Sequence, residues 1–192
     1  NYASNGGGLF STNSNVFLKK TVITNNTSGA YGGGFYLHDV YMVVNGLPWG
    51  PEFRMVNSVV SHNTGSGGVI AGTDVIVNRS NISIDNSVFY KNESYTGAGL
   101  RITGQPYLTI KNSAFVSNNV TTNSLGAGIH CSNSYIQGEL NVKVFNSVFR
   151  DNTLMNTPNN YTNLDMLWYN GGNGETIPWY NMRNCATNSA TT

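Results

Sequence analysis

One short pattern recurs five times along this chain and sets what it can fold into. Glycine-rich tetrapeptides stand at Gly6-Gly7-Gly8-Leu9, Gly32-Gly33-Gly34-Phe35, Gly67-Gly68-Val69-Ile70, Gly97-Ala98-Gly99-Leu100 and Gly126-Ala127-Gly128-Ile129. Each is followed by a second motif that ends in asparagine. Its clear copies are Phe89-Tyr90-Lys91-Asn92, Phe115-Val116-Ser117-Asn118 and Phe149-Arg150-Asp151-Asn152, with weaker ones at Ile23 to Asn26 and Val60 to Asn63. Repetition on this scale means that each copy is one structural unit, too small to bury a core alone and stable only when stacked on its neighbours.

Aligning the copies on Ile23, Val60, Phe89, Phe115 and Phe149 yields columns. Five and seven positions earlier every residue is apolar: Leu18, Met55, Ile84, Ile110, Val144, and Val16, Phe53, Ile82, Leu108, Val142. An apolar pair two apart is the period of a strand with one buried face. Two positions before the anchor stand Thr21, Ser58, Ser87, Ser113 and Ser147; three after it stand Asn26, Asn63, Asn92, Asn118 and Asn152. In strands stacked in parallel, like residues lie over like, so an asparagine column can hydrogen-bond amide to amide. Asparagine and glycine also tolerate the left-handed backbone of tight corners. The expected fold is all-β: a right-handed parallel β-helix of about five coils.

The anchors are spaced 37, 29, 26 and 34 residues apart. Surplus length must leave the coil, and the expected loops are Asn45–Glu52, Gly72–Ser80, Thr121–Leu125 and Ser132–Glu139. Residues 153–192 lose the repeat, so the chain divides into solenoid repeats over 1–152 and a C-terminal capping segment over 153–192. Cys131 and Cys185 are the only cysteines. A disulfide between them would fasten the cap to the stack; two buried thiols are the alternative.

Polarity comes from amides and hydroxyls, with 30 asparagines against 10 % charged residues and a net charge of +1. No clustered basic face marks a nucleic-acid partner, and no segment has the apolar length of a membrane-spanning helix. A start at Asn1 without an initiator methionine points to a processed protein or a fragment. Candidate glycosylation acceptors in Asn-x-Ser/Thr context are Asn78, Asn81, Asn160, Asn25 and Asn119. Asn26 and Asn92 also carry the sequon, but an inward amide could not hold a glycan. Cysteine pair, sequons and low charge together point to a secreted protein.

The glycine motifs at Gly97 to Leu100 and Gly126 to Ile129, with Phe89 to Asn92, Phe115 to Asn118 and Phe149 to Asn152, resemble the repeats of the chlamydial polymorphic outer membrane proteins. The resemblance covers roughly residues 6–152. It implies a β-helical passenger similar to surface adhesins, and it supplies no catalytic residues.

Chemistry on such a fold needs acids or bases grouped on adjacent coils: two carboxylates for glycoside hydrolysis, or a calcium-binding carboxylate cluster with a base for elimination. The aligned outward columns carry no carboxylates on neighbouring coils, and Asp85 over Lys111 reads as a surface ion pair. Loops could bring Asp39, Asp74 or Glu139 together. His38, His62 and His130 have no metal-ligand spacing. Neither a catalytic residue, a metal site nor a cofactor is expected.

The leading expectation is a non-catalytic extracellular scaffold that packs into a larger ordered assembly through its loops, faces and ends. Its partners would be other protein subunits, like or unlike, or a glycan or mineral matrix. A cell-surface adhesin for a receptor or glycan is the alternative, and a polysaccharide lyase or hydrolase the remote one. Trp49, Trp168 and Trp179 are the candidate contact residues, because tryptophan dominates interface energetics; for the two in the tail, covering the core is an equal reading.

Overall fold

The computed structural model describes residues 1–38, 42–44, 47–72, 81–104, 107–122, 126–133, 141–154, 166–170, 180–183 and 185–187. It is an all-β parallel solenoid, with no helix among these residues. Three sheets, each six strands deep, form its faces. Face I stacks Leu9–Thr12, Phe35–His38, Gly68–Ala71, Leu100–Thr103, Ile129–Asn133 and Met166–Asn170. Face II stacks Val16–Lys19, Glu52–Val56, Asn81–Asp85, Tyr107–Lys111, Asn141–Phe145 and Tyr180–Arg183. Face III stacks Val22–Thr24, Val59–Ser61, Val88–Tyr90, Ala114–Val116, Val148–Arg150 and Ala186–Thr187. Every pairing within these faces is parallel.

Alternation along the strands sends one set of side chains inward. Ile82 and Ile84 are buried over Phe53 and Met55 and under Leu108 and Ile110, in strict register. Where face III meets the interior, the rings of Phe89, Phe115 and Phe149 stack at 4.7 and 5.1 Å, within 6° and 4° of parallel. Identical environments on successive coils select identical side chains, which is why the repeat is legible at all.

Corners are made by left-handed residues. The column three before the anchor takes φ of 52° at Lys20, 53° at Asn57, 46° at Asn86, 50° at Asn112 and 48° at Asn146. A second corner column, two after the anchor, falls at Asn25, His62, Lys91, Ser117 and Asp151, with φ between 50° and 56°. Asparagine accepts this conformation at low cost; lysine and serine do so under strain.

The course of the backbone departs from the sequence expectations in three places. First, the segment 153–192 does not lose the stack. Met166–Asn170, Tyr180–Arg183 and Ala186–Thr187 add a sixth strand to each face, so the rungs exceed the five coils expected. Backbone pairing is indifferent to side-chain identity, so a rung can be added without the motif. Second, the third glycine motif is displaced by two residues. Gly68, not Ile70, pairs with Phe35 and Leu100, and a side chain at Gly68 would collide with the Phe35 ring. Third, the expected loop Asn45–Glu52 contains Leu47–Trp49, which pairs antiparallel with Met42–Val44. Of the other expected loops, Gly72, Thr121, Thr122, Ser132 and Asn133 are described, the last two inside a face I strand. The remainder lie outside the described residues.

Candidate functional site

The polar columns of the interior are structural. Asn26, Asn63, Asn92, Asn118 and Asn152 lie in one row, all buried. In the first four, the backbone nitrogen and Nδ2 both donate to Oδ1 of the next asparagine, at 3.0 to 3.1 Å. The second Nδ2 proton goes to a carbonyl: that of Ile23 from Asn63, Val60 from Asn92, Phe89 from Asn118 and Phe115 from Asn152. Beside it runs a serine row. The backbone nitrogens of Thr21, Ser58, Ser87 and Ser113 donate to Oγ of the serine one rung on, at 3.1 to 3.2 Å. The hydroxyls of Ser58, Ser87, Ser113 and Ser147 donate to the carbonyl two residues back. Both rows are satisfied within the stack and leave nothing for a ligand.

On the outer surface the three faces differ. Face II carries charge: Lys19, Arg54, Lys111 and Lys143 are exposed, with Glu52 and Asp85 among them. Register places Glu52 and Asp85 at opposite ends of neighbouring strands, too far apart to act as a pair. The Asp85 carboxylate accepts from Nδ2 of Asn112 at 3.0 Å; the ion pair with Lys111 read from the sequence is not formed. Arg150 and Asp151 make an ion pair, at 3.1 Å, with both side chains well exposed.

Face III carries an apolar row on its outside as well as its inside. Its first outward row is Val22, Val59, Val88, Ala114 and Val148, of which Val22 is 66 % and Val148 40 % exposed. The second row, Thr24, Ser61, Tyr90, Val116 and Arg150, is mixed.

Face I holds a cluster that the sequence reading missed. Its outward row runs Phe10, Tyr36, Val69, Arg101 and His130. The Tyr36 ring stacks on Phe10 at 5.7 Å, on Tyr31 at 6.1 Å and on His38 at 5.8 Å. The Arg101 guanidinium lies over the Tyr31 ring, 5.2 Å from its centroid. Nε of Arg101 is buried without a hydrogen-bond partner. His130 is hydrogen-bonded through Nδ1 to the Thr96 hydroxyl. Burial, and secondarily the Arg101 charge, hold the His130 imidazole down at about 4, so it is neutral near pH 7. Burial raises the Tyr36 phenol first, Tyr31 adds to this and Arg101 opposes it; Tyr36 stays protonated and can donate. Only the third-motif register brings Arg101 into line with Tyr36, so aligning on Gly68 was the available signal.

The remaining candidates fall as follows. His62 meets Tyr90 edge-on at 5.5 Å and His38 stacks on Tyr36; among the described residues no group of three potential ligands could hold a metal. Cys131 and Cys185 are not joined. Cys131 is buried on face I with Trp168 in register on the next rung, whereas Cys185 directs Sγ to the Val144 carbonyl at 3.6 Å. It stands one residue ahead of Ala186–Thr187, the place Ser147 holds ahead of Val148–Arg150, so it belongs with the serine row. Of the sequon residues, Asn25 and Asn81 are exposed. Asn119 is half-buried and accepts from the Thr153 hydroxyl at 2.9 Å. Asn78, Asn160, Trp179, Asp39, Asp74 and Glu139 lie outside the described residues, while Trp49 and Trp168 are placed only as strand positions. No protein family, characterised protein or solved structure matches this chain.

Proposed function

We propose that this is a non-catalytic, extracellular structural protein whose copies pack side by side through face III. The observation that carries the reading is the unbroken outward row Val22, Val59, Val88, Ala114 and Val148, an apolar stripe on a rigid stack. Burying such a row against a like row removes apolar area from water. A net charge of +1 leaves little repulsion between copies. The resemblance to surface passengers and the exposed sequons at Asn25 and Asn81 support an extracellular setting.

Light scattering and sedimentation over a concentration series test this reading. The wild-type chain forms larger species as concentration rises, and Val59→Lys with Val88→Lys returns it to monomer with unchanged circular dichroism. A strict monomer at high concentration overturns it. A second reading, a surface adhesin, is favoured by the aromatic and cationic cluster on face I.

A further inference from the structure

We propose that the Arg101 cluster on face I is a binding site for a carboxylate-bearing carbohydrate. The inference deepens the adhesin reading and does not depend on whether face III assembles.

The first argument is the state of Arg101. Nε is buried and unpartnered, and its other guanidinium nitrogens are not among the buried unpartnered atoms and make no hydrogen bond among the described residues, so they reach the surface. Among the described residues no carboxylate pairs with it; the ion pair there is between Arg150 and Asp151. A guanidinium pinned over the Tyr31 ring at 5.2 Å has a fixed plane, and a planar fork of donors matches the two oxygens of a carboxylate. Among the described residues Asn5 Oδ1 and Ser28 Oγ are also buried and unsatisfied, but Arg101 Nε alone belongs to a charged group, and that calls for a reason. Holding the guanidinium in readiness for an anion supplies one.

The second argument concerns what surrounds the charge. Tyr31, Tyr36 and Phe10 form a stacked row in which Phe10 is 53 % and Tyr31 45 % exposed. The neighbouring outward row of the same face is Thr12, His38, Ala71, Thr103 and Ser132, largely hydroxyl-bearing. Apolar rings beside hydroxyls suit a ligand that has both C–H surface and many hydroxyls, which describes a sugar. One cation, with neutral donors around it, balances one carboxylate; a phosphate polymer would need a run of cations. A carboxylated peptide would satisfy Arg101 but leave the threonine and serine row unused.

Binding of the purified chain to sodium polygalacturonate and sodium alginate at low salt tests the proposal, with fully methyl-esterified polygalacturonate and poly-glutamate as comparisons. The two uronate polymers bind or one does, the ester does not, and poly-glutamate binds more weakly. Arg101→Gln weakens uronate binding on the order of ten- to hundredfold, the effect of losing hydrogen bonds to a charged partner. Tyr31→Ala, at an exposed position, weakens it less, and Lys91→Gln leaves it unchanged. Should Arg101→Gln fail to fold, as judged by thermal melting, the Tyr31→Ala and methyl-ester results decide. Binding unaffected by esterification or by both substitutions, poly-glutamate binding as tight as uronate, or no uronate binding overturns the proposal. Binding of a neutral glycan alone would sink it while leaving the adhesin reading in place.

Discussion

Oδ1 of Asn118 accepts two hydrogen bonds from one residue: the backbone nitrogen of Asn92 at 3.1 Å and its Nδ2 at 3.0 Å. A single side-chain oxygen thus ends two donors of the preceding rung, while Nδ2 of Asn118 spends its protons on Phe89 and Asn152. All of this is out of contact with water.

Asn118→Ala would strand both donors of Asn92 in a dry interior. Each unsatisfied buried group costs about 1–3 kcal/mol, so the loss is expected to be on the order of 3 kcal/mol or more. Asn118→Asp keeps the acceptor but loses the donors and adds a buried charge, and should be at least as harmful. Urea denaturation measures both. A loss below about 1 kcal/mol for Asn118→Ala would show that the row does not hold the stack together.

Ser117 sits at a left-handed corner with φ of 54°, where the first rung uses asparagine at Asn25. A β-carbon there costs about 1 kcal/mol, less for asparagine. Ser117→Asn is therefore expected to stabilise the fold by several tenths of a kcal/mol, roughly in the range of other backbone-relief substitutions. Thermal melting detects the rise. A lowered melting temperature would mean that the serine makes contacts that outweigh its strain.

His130 has an ordinary value of 6.5 and is held at about 4 when folded. Above 6.5 the imidazole is neutral in both states and contributes no pH dependence. As pH falls from 6.5 towards 4, the unfolded chain takes up a proton that the folded chain refuses. Stability is lost through that window, by roughly 3 kcal/mol at its end. Unfolding free energies at pH 7 and pH 4.5 should differ more for wild type than for His130→Gln. Equal differences would remove His130 as a contributor.

Burial pushes the Cys131 thiol well above its usual range, so it presents no thiolate in the native fold. Alkylation by iodoacetamide at pH 8 should leave Cys131 unmodified until denaturant is added, as read by peptide mass spectrometry. A non-reduced map should show no peptide linking Cys131 to Cys185, even after mild oxidation. Either a rapid native reaction or that cross-link would contradict the placement of the two sulfurs.

The interior of this protein was written in its sequence. Every rung presents the same environment at Ile84 as at Ile110, and at Asn92 as at Asn118, so selection writes the same residue type again and the column can be read without coordinates. The outside is not repeated in this way. Whether Arg101 meets Tyr31 depends on the register of Gly68 and on the length of chain returned by each loop, and neither is fixed by a local pattern. The place of Cys185 ahead of a sixth face III strand was equally hidden, because parallel pairing needs only backbone and leaves no apolar period to detect. Burial constrains residue type and so leaves a record; neighbourhood on a solvent-facing surface is settled only when the coils are laid one upon another.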